Sequence, residues 1–402
     1  MGAMRWEQTD SHKRDQNTGT NYGHPLHSTV IMPFVSVNGN GPTKPVALPI
    51  GYTGVPKSKI RTLIGLPHPN PIYTRMQNLN IDQHLDPTPA GPEGMVVCFG
   101  VLSYLQLMVV DEIPVHNGGI PISQLTDSYG DDAAIVAGIL HQFGQETKFI
   151  PSAVGDDALG RKVAATVVGL GVPVDVRIDP LVTTVAELSI ADPSGARTYF
   201  YQRTPQLLAT LDTADLTPLE NASYLYVDWY DGNYVLRALE SAGRLNVPVF
   251  LNLESQYSNK EVLAKLAPYT TVCQVSADQP ESKEDMDSIA AMVLETGIDT
   301  VLITGGRRGS MAADGSQMVT VSAPEVAVVD GNGAGSCFSA SYIYGSLRGW
   351  GLEQCVRFAT AQASLKCGVP GYQVTSTDEG ERLAATLQTE VHYRSGSTRT
   401  RH

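Results

Sequence analysis

The sequence predicts an α/β fold, on three observations. From Tyr224 onward, short apolar strands alternate with helical stretches in a regular rhythm. A β-branched run (Val326, Val328, Val329) ends at Asp330 and leads through a five-residue glycine-rich turn into a small-residue apolar helix from Cys337. A hydrophobic fraction of 42% against 17% charged residues is that of a chain with a real core.

The 402 residues suit one large α/β domain or two smaller ones. Residues 1–94 stand apart, rich in Pro, Asn, Thr, Gly and His, with no sustained apolar period. They read as an irregular amino-terminal extension, with a folded extra domain as the alternative. The opening Met1, Gly2, Ala3, Met4 reads as an expression remnant ahead of a start at Met4. The histidines of this stretch (His12, His24, His27, His68, His84) lack metal-ligand spacing and read as solvated.

Regular structure begins at Met95, where M-V-V-C-F-G reads as a buried strand ending at Gly100. The alternation after it, from Val101, predicts a second strand. Between Ser128 and Gly144 a helix opens, and Asp131 and Asp132 near its start are either caps or polar contacts. Ser152 to Val163 turns a strand into a helix. Thr183 to Gln202 reads as two strands joined by a D-P-S-G turn. Strands follow at Tyr224–Asp228 and Val247–Leu253, with helices at Val235–Ala242 and Lys260–Leu266. Asp278 and Glu281 are hard oxygen donors of the kind magnesium prefers, although a bare D-x-x-E also suits a cap or a solvated turn. Thr300 to Met311 is a strand and turn whose Arg307 and Arg308 either reach phosphate or face solvent. Cys355–Cys367 is an apolar helix closed by Gly368 to Gly371. The end from Val391, with Arg394, Arg399 and Arg401, reads as frayed.

Val328 to Tyr342 carries the densest chemistry. A glycine turn entering a helix leaves backbone N–H groups free at its positive end, an anion site best suited to phosphate. The plainer reading is an ordinary strand-to-helix turn. No G-x-x-x-x-G-K-[ST] run exists, and Gly331, Gly333 and Ser336 miss the dinucleotide fingerprint.

In their order these pieces resemble the ribokinase-like (PfkB) carbohydrate and nucleoside kinase family, over about residues 95–385. Asp330, Gly333, Ala334 and Gly335 are similar to its signature D-T-x-G-A-G-D, in which the G-A-G amides form an anion hole and the closing Asp is the general base. Gly130 and Ala137 are similar to its first signature, G-G-x-x-x-N-x-A. Gly155, Asp157 and Gly160 match V-G-x-D-x-x-G, and Gly195 with Arg197 match a lid turn. Thr304, Gly306 and Gly309 align with the turn that meets the nucleotide. Asp278 and Glu281 stand where relatives carry N-x-x-E, a motif linked to magnesium and phosphate.

The resemblance implies a ribokinase-like three-layer α/β/α sandwich with a mostly parallel central sheet and a small β-lid. The domain would span 95–390, with lid strands near 104–125 and 182–204 and a tail at 391–402. It also implies ATP and Mg2+, a small-molecule acceptor and a homodimer through the lid.

Four positions depart from the pattern. Leu105 stands where relatives carry an acidic substrate contact, Asp131 where they carry the second glycine, Ile135 where an asparagine meets the sugar, and Ser336 where the base stands. A serine hydroxyl is no base at neutral pH, and a general base is worth roughly 10²–10⁴ in rate. Three functions therefore stay open. The first is a phosphotransferase moving the γ-phosphate of ATP to an atypical sugar, nucleoside or vitamin-precursor-like molecule, with Ser336 as a hydrogen-bond partner. The second is a pseudokinase that binds nucleotide or metabolite. The third is a repurposed enzyme acting on a phosphorylated substrate.

A net charge of −13 with a pI near 5.1 and no basic block argues against nucleic acid. Five scattered cysteines without a C-x-x-C pair suit reduced, mostly buried thiols. No apolar run reaches the roughly 18 residues of a membrane span. These features predict a cytoplasmic protein.

Overall fold

The structure, a computed structural model, describes residues 94–192, 197–278 and 285–393. The amino-terminal extension, Gly195, Glu281 and the arginines of the tail lie outside the described residues. In chain order the strands are β1 (Met95–Gly100), β2 (Ser103–Val110), β3 (Ile122–Gly130), β4 (Thr147–Pro151), β5 (Val154–Gly155), β6 (Ile178–Asp179), β7 (Val185–Ala191) and β8 (Arg197–Tyr201). They continue as β9 (Ala222–Asp228), β10 (Val249–Glu254), β11 (Val272–Ser276), β12 (Thr300–Thr304), β13 (Ser310–Asp314), β14 (Gln317–Val321) and β15 (Thr389–Tyr393). The helices are α1 (Asp132–Gln142), α2 (Ala158–Gly169), α3 (Pro205–Leu208), α4 (Leu236–Leu245) and α5 (Lys260–Leu266). After them come α6 (Met286–Leu294), α7 (Ala334–Leu347), α8 (Leu352–Cys367) and α9 (Thr377–Ala384).

Nine strands make the central sheet, in the order β15-β14-β13-β12-β11-β10-β9-β1-β4. The six from β12 to β4 are parallel, and β13, β14 and β15 add antiparallel. Helices cover both faces, so the strands are near-continuous apolar runs whose alternate side chains enter different cores. Val96 and Cys98 of β1 join Phe149, Tyr226 and Phe250 beneath Ile139 of α1, Phe338 of α7 and Phe358 of α8. Val97 and Phe99 join Leu225, Leu251 and Ile303 against Leu239 of α4, Leu263 of α5 and Ile289 of α6. The result is the three-layer α/β/α sandwich.

A second sheet, ordered β3-β2-β7-β8, forms the lid. Its middle pair, β2 and β7, runs parallel, with Leu105 opposite Glu187. Its edge strand β3 leads directly into α1. β3 ends at Gly130, and Asp131 then caps α1 at φ 78 and ψ 142, a strained backbone conformation for any residue that carries a side chain. In α2, Asp157 caps by accepting from the Gly160 amide at 2.7 Å. Position 160 inside that helix takes a glycine because any Cβ there would strike the Gly155 carbonyl oxygen and Thr184 Oγ1.

Several expectations shift. No strand forms over Val326–Val329. The amides of Val329 and Asp330 instead donate to the carbonyl of Cys367 at the end of α8, at 2.8 and 3.1 Å. The helix after the glycine turn begins at Ala334 rather than Cys337, and α8 begins at Leu352. Residues 389–393 pair with β14 as an edge strand, so Val391 is not frayed. Among the described residues all five cysteines are free, four of them buried, and no helix is long and apolar enough to cross a membrane.

Candidate active site

The site lies where the parallel strands end. At the carboxyl ends of β1, β9, β10, β11 and β12 stand Gly100, Asp228, Glu254, Asp278 and Thr304. The open end of such a sheet is where α/β proteins bind ligands.

The glycine turn is built to a close tolerance. Gly333 takes φ 74, and a Cβ on it would come 2.7 and 2.9 Å from ring carbons of Tyr372 and 3.5 Å from Ile135 Cγ2. Ile135 is thus an apolar wall behind the turn, and it makes no polar contact. Around Gly335 the nearest protein atoms would lie 3.8 Å from a Cβ, so internal packing does not demand a glycine there. No side chain caps α7, and the Gly335 and Ser336 amides belong to its first turn, where a helix has no acceptor of its own. Asp330 holds this turn in shape. Its Oδ1 accepts from the amide and Nδ2 of Asn332 at 2.9 and 2.7 Å, and its Oδ2 accepts from the Gly371 amide at 2.9 Å. The buried Lys366 Nζ donates to the Asp330 carbonyl at 2.7 Å. Asp330 is therefore a positioning residue, not a ligand-facing one.

Ser336 does not stand alone. Its hydroxyl donates to Asp132 Oδ1 at 2.6 Å, across from the first residue of α1. Asn252 Nδ2 donates to Asp132 Oδ2 at 3.3 Å and to Glu254 Oε1 at 3.0 Å. Burial raises the Asp132 carboxyl above its ordinary range, opposed by the Ser336 hydrogen bond and by Arg203 and Arg197. Burial and the Asp132 charge push Glu254 up to about 7. Glu254 sits at φ 48, a strained conformation for a long side chain at a strand end.

Deeper in the cleft, one guanidinium meets several carboxylates. Arg203 approaches Asp131 at 2.8 Å, Asp231 at 3.1 Å and Glu187 at 3.6 Å. Asp231 also accepts from the Val101 amide at 3.1 Å, and Asp228 Oδ2 is buried with no hydrogen-bond partner. Burial, then the Asp131 charge, pushes Asp231 to about 7 and Glu187 to about 8, against the pull of Arg203. Leu105 is buried at this wall and cannot hydrogen-bond, but Glu187, its neighbour on β7, turns a carboxylate towards Gly130. A Cβ on Gly130 would lie 2.5 Å from Ser103 Oγ and 3.0 Å from Glu187 Oε2, so the packing leaves no room for a side chain there.

The other half of the site gathers Thr304, Gly306, Gly309 and Asp278. Gly306 and Gly309 take φ 57 and 90, and a Cβ on Gly306 would lie 3.4 Å from Asp278 Cβ. Arg308 is engaged with the Ala277 carbonyl, so it braces this turn. Among the described residues no three His, Cys, Asp or Glu side chains are grouped to hold a metal. The exposed Asp278 carboxylate, accepting from Ser276 Oγ at 2.7 Å, is one oxygen donor. One carboxylate suits an ion that keeps its waters and binds mainly to substrate phosphates, as magnesium does.

The lid reaches the glycine turn directly. Asn332 Oδ1 accepts from Ser189 Oγ at 2.8 Å and Tyr199 Oη at 3.0 Å, while Arg197 Nη1 donates to the Gly331 carbonyl at 2.8 Å. Arg197 feels the charges of Glu254, Asp278 and Asp132, so one lid cation spans both halves of the site. The sequence reading missed Asn252, Glu254, Glu187, Arg203, Asp228 and Asp231. A signal existed: V-D, N-L-E and S-A-D each place an acid just where an apolar strand stops.

Comparison with known proteins agrees with this geometry. The description "pfkB family carbohydrate kinase" matches residues 94–379. A nucleoside kinase of Methanothermobacter thermautotrophicus is 25% identical over 298 residues, covering 72% of this chain and 94% of its own. An uncharacterized sugar kinase of Archaeoglobus fulgidus is 26% identical over 236 residues, covering 57% and 93%. In fold, the Arabidopsis thaliana ribokinase complexed with ribose and ATP superposes with a TM-score of 0.57 at 20% identity, over 73% of this chain and 99% of its own. The Thermotoga maritima ribokinase gives 0.59 at 18%, with the same coverage.

Proposed function

Because the chain belongs to the pfkB family of carbohydrate kinases, we propose that it moves the terminal phosphate of ATP to a hydroxyl of a small molecule. The observation that carries this reading is the uncapped first turn of α7, whose Gly335 and Ser336 amides open beside the half-buried Asp132 carboxylate at the sheet's carboxyl end.

The chain's own residues divide the work. The amides of Gly335 and Ser336 hold the oxygens of the phosphoryl group in transfer, where fixed dipoles cost no reorganisation. Thr304, Gly306 and Gly309 bed the rest of the donor, and Asp278, with Glu281, would hold the magnesium ion. That ion, when bound, offsets phosphate charge. Arg197 adds a cation from the lid, and the lid excludes water. Asp131, Glu187, Asp228 and Asp231 around a single Arg203 favour an acceptor that donates hydrogen bonds, with hydroxyl or amine groups. Two copies pair through the lid, whose strands expose Ile122, Leu125, Phe200 and Tyr201 at 47, 51, 57 and 63%.

Calorimetry with ATP and ADP, with and without magnesium, followed by a phosphorylation screen over sugars, nucleosides and vitamin precursors, tests this. Magnesium-dependent ATP binding with transfer to at least one acceptor is expected. Absence of nucleotide binding would overturn the reading. Ser336 at the base position favours a second reading, a pseudokinase, and ATP binding with no transfer to any acceptor or to water would establish it.

A further inference from the structure

Resting on the kinase reading, we infer that Asp132 at the start of α1 is the proton acceptor of this enzyme, in place of a carboxylate on α7. Its Oδ1 lies 2.6 Å from Ser336 Oγ, just past the point where a longer side chain at 336 would carry its own carboxylate. It therefore reaches the same corner of the cleft from the facing helix. The side chain is held from two sides, by Ser336 on Oδ1 and by Asn252 on Oδ2, which fixes its rotamer. Asp132 is half-buried rather than sealed, so a substrate hydroxyl can reach it.

The step balances as follows. The acceptor oxygen attacks the terminal phosphorus as the bond from that phosphorus to the β–γ bridging oxygen breaks, and the electron pair leaves on the diphosphate. The acceptor's proton passes to an Asp132 oxygen, giving a neutral carboxylic acid that later returns the proton to solvent. Ser336 is a positioning residue in this scheme: it donates to the carboxylate and orients it.

The groups facing Asp132 set its working range. Arg197 and Arg203 from the lid side favour the ionised form, as do Ser336 of α7 and Asn252 of β10. Burial opposes them, as do Glu254 of β10, the neighbouring Asp131, Glu187 of β7, Asp228 at the end of β9, and Asp231. A base held somewhat above the ordinary carboxylate range is better matched to neutral pH.

The test compares the full-length wild type, Asp132→Asn, Ser336→Ala, Glu254→Gln and the swap Asp132→Asn/Ser336→Asp on the best acceptor found by the screen. Asp132→Asn should lower kcat roughly 10²–10⁴-fold, with ATP affinity by calorimetry unchanged and the acidic limb of the pH–rate profile abolished. The swap returns a carboxylate to the same corner and should recover at least tenfold of that loss. Ser336→Ala should cost about tenfold and shift the acidic limb upward, because the carboxylate loses a donor to its ionised form. Glu254→Gln should keep that limb. In the unliganded protein, the Asp132 carboxyl followed by carbon NMR should titrate above the ordinary range, and higher still in Ser336→Ala. A wild type that transfers phosphate and an Asp132→Asn variant that does so at the same rate and with the same pH profile overturn this assignment alone. A wild type that transfers none overturns the kinase reading and the assignment with it.

Discussion

Gly333 shows how much a single backbone angle decides. At φ 74 against the Tyr372 ring, alanine would meet a left-handed penalty of about 1–2 kcal/mol before any ring movement. Gly333→Ala is expected to lose about 2 kcal/mol or more by denaturant melting and to weaken ATP binding at least tenfold. Gly335→Ala, which meets no protein atom closer than 3.8 Å, should leave stability within about 1 kcal/mol while still weakening ATP. Equal stability losses in the two variants would contradict a ligand-facing Gly335. Lys366 is a second case. It is fully buried and donates to the Asp330 carbonyl, and burial lowers its pKa while the Asp330 charge opposes that shift. Lys366→Met is expected to destabilise by about 3 kcal/mol, the cost of leaving a buried carboxylate short of its cation. Gly333 and Asp330 were legible in the sequence as a motif. The partners Tyr372 and Lys366 were not, since each lies 36 or more positions away and carries no local signature.

At the scale of elements, the lid and the glycine turn act as one latch. Ser189, Tyr199 and Arg197 of β7 and β8 hold Asn332 and Gly331, and these contacts are worth about 0.5–1.5 kcal/mol each. Asn332→Ala is therefore expected to raise KM for the acceptor roughly tenfold while shifting kcat less, measured by steady-state kinetics. A change confined to thermal stability would show the latch to be structural only. The alternation in β2 and the strand pair around 183–202 were readable from polarity and turn residues. The absence of a strand over Val326–Val329 was not. β-branched composition marks a segment suited to a pleated surface, but a strand forms only where a neighbour offers its edge. Here the backbone turns to the end of α8 instead.

The whole molecule gathers acids at one end of its sheet, and its stability should report that. Asp231 is raised to about 7 and Glu187 to about 8, chiefly by burial. The folded state then holds protons that the unfolded chain has released, so these groups stabilise below about pH 4 and lose that contribution as pH rises to 8. Asp127, held near 2 by Lys162 and Tyr104, acts in reverse: its contribution is present above about pH 4 and disappears as pH falls to 2. The melting temperature is accordingly expected to peak near pH 4 and to fall by several degrees by pH 8. A curve rising from pH 5 to 8 would show that these carboxyls are ionised in the native state. Replacing Phe200 and Leu125 on the lid by lysine should convert a dimer into a monomer in sedimentation if the lid pairs two copies.

The amino-acid order by itself determined the α/β alternation and the glycine turn, because periodicity and glycine placement are local properties that a linear reading can count, and the order of its motifs carried the resemblance to the family. Only the tertiary structure decided which acid faces Ser336. Asp132 is 204 positions away, and from its own neighbourhood it reads as a helix-start residue. Its proximity exists because two helices from distant segments pack on the same face of one sheet with their first turns together, and no spacing rule encodes that distance.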